Sequence, residues 1–261
     1  MADQRESFAL VTGASSGIGR DLARLLAADG YSLVLVARNE AALELIAAAL
    51  RQSGVTVHVI VKDLSDPASA PELVEELARR GIAIDILINN AGFGTHGPFA
   101  EADVTQQMAM IQVNIATLTH LTRLLLPAMI AAGRGRVMNV ASVAGFLPGP
   151  LMAVYYASKA YVLSFSEALS AELRHKGVTV TAVCPGPTET DFFNRAKVRN
   201  SKLTTANLMS SARVAKIGYD AMMAGRRLSV TGWNNRLLTV AIRLLPRALA
   251  LKAAKTVNSA R

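Results

Sequence analysis

The sequence has few of the residues that cross-link a small fold or bind a metal ion. Its 261 residues include a single cysteine, Cys184, so an internal disulfide is impossible. The four histidines, at positions 58, 96, 120 and 175, lie far apart, with no cysteine or paired carboxylate at metal-ligand spacing. A chain of this length buries enough apolar surface to fold without either aid. We therefore expect no metal site, and we expect Cys184, within an apolar run, to be buried packing.

Charged residues are scarce too, at 18% against 51% hydrophobic residues, which excludes an intrinsically disordered chain. Met1–Ser7 is of mixed charge and runs straight into an apolar segment, unlike a secretory signal. The longest uncharged run, Val137–Ser158, contains Asn139 and the breaker Pro148–Pro150, so it is unlike a membrane-spanning helix. We therefore expect a cytoplasmic protein.

Acidic residues are almost missing from the last quarter of the chain. Residues 1–191 carry 14 basic and 18 acidic side chains, whereas residues 192–261 carry 14 basic and one acidic. The formal net charge of +9 therefore belongs to the C-terminal quarter. Such a segment attracts nucleic acid, anionic lipid or an anionic small molecule, and charge alone does not choose among them. Because the sequence has no helix-turn-helix, zinc-finger or RNA-binding aromatic motif, we expect no nucleic-acid partner.

Apolar runs of strand length alternate with helical segments along the chain. The runs are apolar throughout, as expected for parallel strands covered by helices on both faces. The predicted strands are Phe8–Thr12, Ser32–Ala37, Thr56–Val61, Ile84–Asn89, Arg136–Ser142, Thr179–Pro185 and Leu228–Thr231. The predicted helices are Gly17–Gly30, Asn39–Ser53, Ala70–Gly81, Val104–Ala132, Tyr155–Lys176 and Ser211–Gly225. This pattern predicts an α/β fold with a doubly wound (Rossmann) parallel sheet of about seven strands. We expect one domain over residues 1–231, including a substrate flap at about 189–225, followed by an extension over residues 232–261.

A glycine-rich turn follows the first predicted strand and opens a helix. It reads T-G-A-S-S-G-I-G over Thr12–Gly19. Its glycines, at positions 13, 17 and 19, let the backbone approach a pyrophosphate, and the helix presents free N–H groups and its positive end to the anion. Strand, glycines and helix in this order predict a dinucleotide site.

The position that usually selects NAD carries no carboxylate here. Nineteen residues after Gly19 the chain has Arg38, just past the second predicted strand. A guanidinium suits the 2′-phosphate of NADP, so the sequence favours NADP(H) over NAD(H). The alternative is that Arg38 is a solvated residue capping the next helix, with Glu40 reaching back to the ribose.

One tyrosine stands four residues before a lysine in a predicted helix. Tyr155 and Lys159 share a helix face, whereas Tyr156 has Ala160 at the same spacing. A lysine cation a few ångströms from a phenol lowers the phenol pKa toward neutrality. The spacing therefore makes Tyr155 a candidate general acid and base.

Together these motifs resemble, in order and spacing, the compact branch of the short-chain dehydrogenase/reductase family. The resemblance covers about Phe8–Thr231. The residues that carry it are Thr12–Gly19, Asn89–Gly92, Asn114, Ser142, Tyr155, Lys159, Pro185, Gly186 and Thr190. It implies a homo-oligomeric oxidoreductase that moves a hydride between NADP(H) and a carbonyl or secondary alcohol.

The resemblance also implies roles for single residues. Tyr155 is the proton donor, Ser142 stabilises the carbonyl oxygen, Lys159 holds the ribose, and Asn114 anchors a water behind the lysine. The other implied cofactor contacts are Gly13, Ser15, Ser16, Gly17, Ile18, Gly19, Arg38, Asp63, Leu64, Asn90, Ala91, Gly92, Pro185, Gly186, Thr188 and Thr190. Read apart from the set, Asn114 is equally a helix residue bonded to its own backbone, and Ser142 an ordinary residue at a strand end.

The substrate side is less clearly marked. Apolar residues predicted for the pocket wall favour a hydrophobic ketone, aldehyde or 3-oxoacyl chain over a sugar: Phe93, Phe146, Leu147, Phe192 and Phe193. His96 either lines this pocket or is a loop residue on the surface. A basic cluster in the flap either steers an anionic carrier or is a solvated face: Arg195, Lys197, Arg199 and Lys202.

The extension over residues 232–261 has six basic and no acidic side chains. Its apolar residues 237, 238, 240, 241, 244 and 245 and its arginines Arg236 and Arg243 form an amphipathic segment, which Pro246 is expected to break. Basic and apolar residues together favour peripheral contact with an anionic membrane. The alternative is packing on the same domain or on a second subunit. For the whole protein, the alternative to an enzyme is a catalytically silent dinucleotide-binding sensor or scaffold.

Overall fold

Seven parallel strands form the central sheet of the protein. The structure, a computed structural model, describes residues 6–196, 198 and 208–259. The strand order is β3-β2-β1-β4-β5-β6-β9. The strands are β1 (Phe8–Thr12), β2 (Ser32–Ala37), β3 (Val57–Val61), β4 (Ile84–Asn89), β5 (Gly135–Val140), β6 (Val178–Cys184) and β9 (Leu228–Val230). The doubly wound parallel sheet predicted from the apolar runs is confirmed.

Helices cover both faces of the sheet. They are α1 (Gly17–Ala28), α2 (Glu40–Arg51), α3 (Ser69–Arg79), α4 (Val104–Ile111), α5 (Leu118–Ala131), α6 (Ala153–Glu172), α7 (Phe192–Arg195), α8 (Ser211–Met223), α9 (Trp233–Leu244) and α10 (Arg247–Asn258). One core layer contains Leu22 of α1 and Leu43 of α2, and the other contains Leu73 of α3 and Leu121 of α5. Because both faces are covered, every residue of β1, β2 and β4 is buried, which explains why these strands are mostly apolar.

The sheet places a ligand crevice between β1 and β4. From β1 the order runs to β2 and β3 on one side and to β4, β5 and β6 on the other. The loops that follow β1 and β4 therefore leave in opposite directions, and the space between them opens beyond the carboxyl ends of the strands. The glycine-rich turn and the loop after Asn89 meet at this point.

The helix predicted over Val104–Ala132 is not regular. Residues Gln112–Thr117, between α4 and α5, form a π-helical segment. Such a segment adds a residue to a turn and often occurs at functional sites. It carries Asn114, which is 1% exposed. The hydrophobic period alone could not predict this irregularity, since it continues on both sides of it.

The whole stretch Val104–Ala131 is long and apolar enough, by length and composition alone, to cross a membrane. The core helices of soluble proteins pass the same test. In this protein α5 packs on β4, β5 and α3. Its apolar composition is therefore explained by its place against the sheet.

The segment after β6 contains two short strands and a helix. The strands, β7 (Thr188–Glu189) and β8 (Met209–Ser210), pair in parallel. The helix predicted over Ser211–Gly225 is α8, which packs against α1. The substrate flap at about 189–225 stays a prediction. The break expected at Pro246 is present between α9 and α10.

Candidate active site

A cleft of about 1000 Å³ opens along the carboxyl edge of the sheet. It is lined by most of the residues predicted to contact a cofactor: Gly13, Ser15, Ser16, Gly17, Ile18, Arg38, Asp63, Leu64, Asn90, Ala91, Gly92, Tyr155, Lys159, Pro185, Gly186, Thr188 and Thr190. Ser142 also lines it. Gly19 and Asn114 are not on the cleft surface, although they support residues that are. Residues far apart in sequence thus meet around one cavity.

The glycine-rich turn has the shape of a pyrophosphate cradle. Gly13 and Gly17 have positive φ angles of 66° and 54°, which favour glycine. At Gly19 a β-carbon would collide with the Asn90 amide and the Gly13 carbonyl. Ser16 caps α1 without a side-chain hydrogen bond to the helix, so its hydroxyl is available to a ligand. The turn fits a dinucleotide because its glycines leave room for a close approach and the N-terminus of α1 lines the cleft.

Thr12 and Asn90 connect the two loops at the crevice. The Thr12 hydroxyl accepts hydrogen bonds from the backbone N–H groups of Asn90 and Ala91, both at 3.0 Å. The Asn90 side-chain amide donates to the carbonyls of Thr12, at 2.9 Å, and Gly13, at 3.1 Å. Asn90 therefore fixes the cradle as well as lining it, a role that the sequence did not predict.

Arg38 lines the cleft beside Asp63, and its side chain is 73% exposed. Its guanidinium lies 4.0 Å from the Asp63 carboxylate. Hydrogen bonds from the Ser65 backbone hold the pKa of Asp63 below its ordinary value. The alternative in which Arg38 caps α2 is not observed, because Asn39 forms that cap by accepting from the Ala42 N–H at 3.0 Å. The Arg38 head group is thus at the cleft and not committed to the helix.

Ser142 and Tyr155 place two hydroxyl groups together inside the cleft. Tyr155 lies in the first turn of α6, and the Ser142 hydroxyl is near enough to the phenol to oppose the rise of its pKa. The Ser142 Oγ also accepts from the Ala144 N–H at 3.1 Å and lies 3.4 Å from the Pro185 carbonyl. Strand β5 ends two residues before Ser142, so this serine caps a short 3₁₀ turn, Val143–Phe146, instead of ending the strand. The turn fixes the serine hydroxyl beside the phenol.

Lys159 follows Tyr155 by one helical turn and is only 6% exposed. Its ammonium donates to the Val140 carbonyl at 2.8 Å and lies 5.9 Å from the centre of the Tyr155 ring. Burial lowers the pKa of Lys159 to about 8 and raises that of Tyr155 to about 12. The prediction that the lysine lowers the tyrosine pKa is therefore wrong for this structure. Desolvation dominates for both groups, and the ammonium is held on a backbone carbonyl.

Asn114 supports the site from behind. Its amide bonds both backbone groups of Phe93, at 3.0 and 3.2 Å, and the Ser158 hydroxyl at 3.0 Å. A β-carbon at Gly92 would lie 3.1 Å from the Asn114 carbonyl oxygen and 3.4 Å from the Lys159 ammonium. The contacts join loop and helix across the cleft floor, and the alternative of a purely local bond to its own helix is not observed.

Aromatic residues form the wall beside Tyr155. The Phe192 ring lies 5.1 Å from the Tyr155 ring, and Phe93, Leu147 and Phe193 also line the cleft. Phe146 does not line it, contrary to the prediction, because the turn directs its ring to the Arg243 guanidinium, 5.7 Å away.

The remaining predictions concern the flap and the lone cysteine. Arg195 pairs with Asp191 at 2.9 Å. The other members of the basic cluster, Lys197, Arg199 and Lys202, lie outside the described residues. Cys184 is fully buried in β6, as predicted, and burial raises its pKa to about 12.

The C-terminal extension completes the cleft, which sequence analysis did not foresee. The lining residues that it supplies are Asn235, Leu238, Ile242 and Leu245 from α9 and its end, and Ala250, Ala253, Ala254 and Val257 from α10. Their spacing of three and four residues was the available signal. It did not distinguish packing on the same domain from packing on another surface.

Asn258 anchors the end of α10 to the main domain. Its side chain accepts from the Tyr156 hydroxyl at 3.0 Å and donates to the Pro150 carbonyl at 2.9 Å. Its own carbonyl lies 2.8 Å from Nε2 of His96. Asn258 is fully buried. His96 therefore neither lines the cleft nor stands free on the surface; it connects its loop to the extension.

Comparison with known proteins agrees with this geometry. A sequence profile described as short chain dehydrogenase matches residues 7–201. The chain is 33% identical to a very-long-chain 3-oxoacyl-CoA reductase of Anas platyrhynchos over 84% of this chain and 71% of that protein.

Solved structures show the same similarity. A short-chain dehydrogenase from Sphingobium yanoikuyae in complex with NADPH has a TM-score of 0.83 and 33% identity, covering 93% of this chain and 94% of that one. A bulky-bulky ketone specific alcohol dehydrogenase from Comamonas testosteroni has a TM-score of 0.77 and 30% identity, covering 91% and 92%. The chain belongs to the short-chain dehydrogenase/reductase family, whose members are NAD(P)-dependent oxidoreductases.

Proposed function

We propose that the protein is an NADPH-dependent carbonyl reductase for large apolar ketones, aldehydes or 3-oxoacyl substrates. The observation that carries the proposal is the pair of hydroxyls, from Ser142 and Tyr155, within one cleft and one helical turn from a buried lysine. Two hydroxyls at one point can hold a carbonyl oxygen and give it a proton. The cytoplasm remains the proposed location.

Ser142, Tyr155 and Lys159 have separate roles in the proposed reduction. A bound nicotinamide nucleotide supplies the hydride for the carbonyl carbon. Ser142 donates a hydrogen bond to the carbonyl oxygen and stabilises the negative charge that develops there. Tyr155 passes its phenolic proton to that oxygen. Lys159, whose ammonium lines the same cleft, is placed to hold the ribose of the nucleotide.

Two features support NADPH over NADH. Arg38 lies at the adenosine end of the cleft and is largely exposed, so a phosphate can displace its long contact with Asp63. A guanidinium and a phosphate form strong, charge-assisted hydrogen bonds. The Sphingobium relative was solved with NADPH. In this proposal the 2′-phosphate binds Arg38, and the pyrophosphate binds the glycine-rich turn at Gly13–Ile18.

The size and lining of the cleft support a large apolar substrate. Its volume of about 1000 Å³ is at the upper end of ordinary ligand sites, with room for cofactor and substrate together. Phe192 and Phe193 line it, and so does the alanine-rich face of α10. The names of two relatives, one acting on 3-oxoacyl-CoA and one on bulky ketones, point to the same class.

We further propose a homo-oligomer. Tyr161 is 37% exposed on α6, stacks on Phe165 at 5.7 Å and hydrogen-bonds Thr119 of the neighbouring α5 at 3.0 Å. This ordered aromatic patch across two helices is a suitable subunit contact.

Cofactor consumption tests the proposed function. Purified protein is mixed with NADPH or NADH and with ketones and 3-oxoacyl thioesters of increasing chain length. We expect NADPH oxidation that becomes more efficient, in kcat/KM, as the chain lengthens, and weaker activity with NADH. Nucleotide binding without turnover of any carbonyl would instead support the silent sensor or scaffold.

A further inference from the structure

Helix α9 has two apolar faces, and only one of them lines the cleft. The inner face carries the lining residues Asn235, Leu238 and Ile242. The outer face is exposed to solvent. Its large apolar side chains and their exposed fractions are Trp233 at 70%, Leu237 at 54%, Val240 at 59% and Leu244 at 83%.

The outer residues form one stripe. Spacings of four, three and four residues place them in a row along one side of a helix. Single exposed apolar residues are ordinary, but a row of four with no covering element in the described part of the chain is not. We call this row the α9 stripe.

Basic side chains border the α9 stripe. Arg236 and Arg243 stand next to it on the helix, and Arg247 begins α10. Lys252 and Lys255 follow in the same helix. The sequence from residue 232 to 261 contains no acidic residue. The charged side chains that the described part of the extension, residues 232–259, places beside and after the stripe are therefore all cationic.

The positive charge beside the α9 stripe indicates what kind of surface the stripe contacts. Two copies of the chain that met through the α9 stripe in a symmetric contact would place these cationic surfaces against each other. An anionic lipid surface has the opposite charge and accepts the leucines, while tryptophan and arginine side chains favour the headgroup region. We propose that the α9 stripe docks the protein on anionic membrane.

Docking has a consequence for substrate access. The same helix forms a wall of the cleft, so a docked protein holds that wall next to the lipid. An apolar substrate dissolved in the membrane then has a short path into the site. This consequence rests on the proposed function, whereas docking itself does not.

Trp233 is the sole tryptophan of the chain and reports directly on the stripe. The full-length protein is mixed with vesicles of phosphatidylcholine alone or of equal parts phosphatidylcholine and phosphatidylserine, without substrate. We expect a blue shift of tryptophan emission and co-sedimentation with the anionic vesicles only. Absence of both effects overturns the proposal.

A double variant, Leu237→Glu with Leu244→Glu, tests the stripe itself. We expect bound protein to fall roughly tenfold or more, since two charges replace apolar contacts and repel the anionic lipid. The matched control, Leu45→Glu with Val104→Glu, changes two residues that are 76% and 73% exposed on other helices and should bind as the wild type does. Equal loss in both double variants contradicts docking through α9.

Four further measurements distinguish the possible outcomes. Circular dichroism and NADPH affinity show whether each variant is folded, and NADPH oxidation with a soluble ketone shows whether the proposed function holds apart from docking. Sedimentation velocity tests the alternative that a second copy of the chain covers the α9 stripe. If the α9 variant dissociates an oligomer and still binds vesicles normally, the stripe is a subunit contact and the membrane proposal is wrong.

Discussion

Tyr155 and Lys159 are both buried, and burial opposes the charged form of each. The lysine gains one strong hydrogen bond, to Val140, but no carboxylate partner is seen among its described contacts. Its pKa of about 8 leaves it mostly protonated at neutral pH. Because this pKa is close to neutral pH, a negative charge nearby would raise the pKa of Lys159 and keep its ammonium protonated.

This burial predicts a pH dependence of stability. Between its folded pKa of about 8 and its ordinary value of 10.5, Lys159 binds more protons in the unfolded chain than in the folded one. The free energy of unfolding therefore rises with pH in that window. Between pH 8 and 9 we expect a rise of about 1 kcal/mol in the wild type relative to Lys159→Met.

Urea unfolding at several pH values measures the effect. The wild type is compared with Lys159→Met because the free energy of unfolding of either protein alone also depends on Cys184. Above its ordinary pKa of 9.0, the buried Cys184 makes this free energy fall as the pH rises. Parallel stability curves for wild type and Lys159→Met over this range would show that the lysine is not desolvated as described.

The proposed contact between Arg38 and the 2′-phosphate predicts that replacing Arg38 changes the cofactor selectivity. Loss of a charge-assisted hydrogen bond costs roughly 1.5 to 3 kcal/mol, so Arg38→Gln should reduce the preference for NADPH over NADH about 10- to 100-fold. Titration of both nucleotides measures it. Arg51→Gln is the control, since Arg51 is an arginine paired with a carboxylate, Glu44, outside the cleft. An unchanged ratio in Arg38→Gln places the 2′-phosphate elsewhere.

At the scale of elements, α10 presents small residues to the cleft. Ala254 is 2% exposed and lines the cavity. Ala254→Phe should fill space on the substrate side, because a phenyl ring replaces a methyl group. We expect activity with long chains to fall at least about tenfold while short ketones remain substrates. Thr256→Phe, on the exposed side of α10, is the control. Equal activity of Ala254→Phe on all chain lengths would remove α10 from the substrate site.

The elements differ in how well the sequence predicts them. The strands were predictable because neighbouring residues such as Leu33 and Val34 are buried on opposite faces of the sheet, and an apolar run of that kind has few other interpretations. The meeting of Ser142, Tyr155 and Lys159 in one cleft was predictable from the order and spacing of their motifs, while their catalytic roles stay predictions. The turn at Ser142 and the π-helical segment at Asn114 were not, because they depend on hydrogen bonds to Pro185 and Phe93, which are distant in sequence.

The C-terminal extension, residues 232–261, also shows what the sequence alone could not predict. Its apolar period was visible, but the period is the same whether a helix packs on its own domain, on another subunit or on lipid. The contacts of Asn258 with Tyr156 and Pro150 decide part of the question, since they anchor α10 to the domain. Nothing in the local sequence identifies partners about one hundred residues away.

At the scale of the molecule, the cleft joins the two ends of the chain. The end proposed for the nucleotide is built from loops that follow the first strands, and the last two helices line the part proposed for the substrate. The charge follows this division, with the basic residues concentrated after residue 191. One terminus thus provides a wall of the proposed substrate site and the surface proposed for membrane docking.

The central claim is that the Tyr155 phenol protonates the substrate. The most direct measurement compares NADPH oxidation by Tyr155→Phe and Tyr161→Phe, the same substitution in one helix, inside and outside the cleft. With an apolar ketone that the wild type reduces, we predict that Tyr155→Phe lowers kcat by a factor of about 10² to 10⁴ and leaves NADPH affinity intact. Tyr161→Phe should retain the wild-type rate. Turnover by Tyr155→Phe at the wild-type rate would contradict the account.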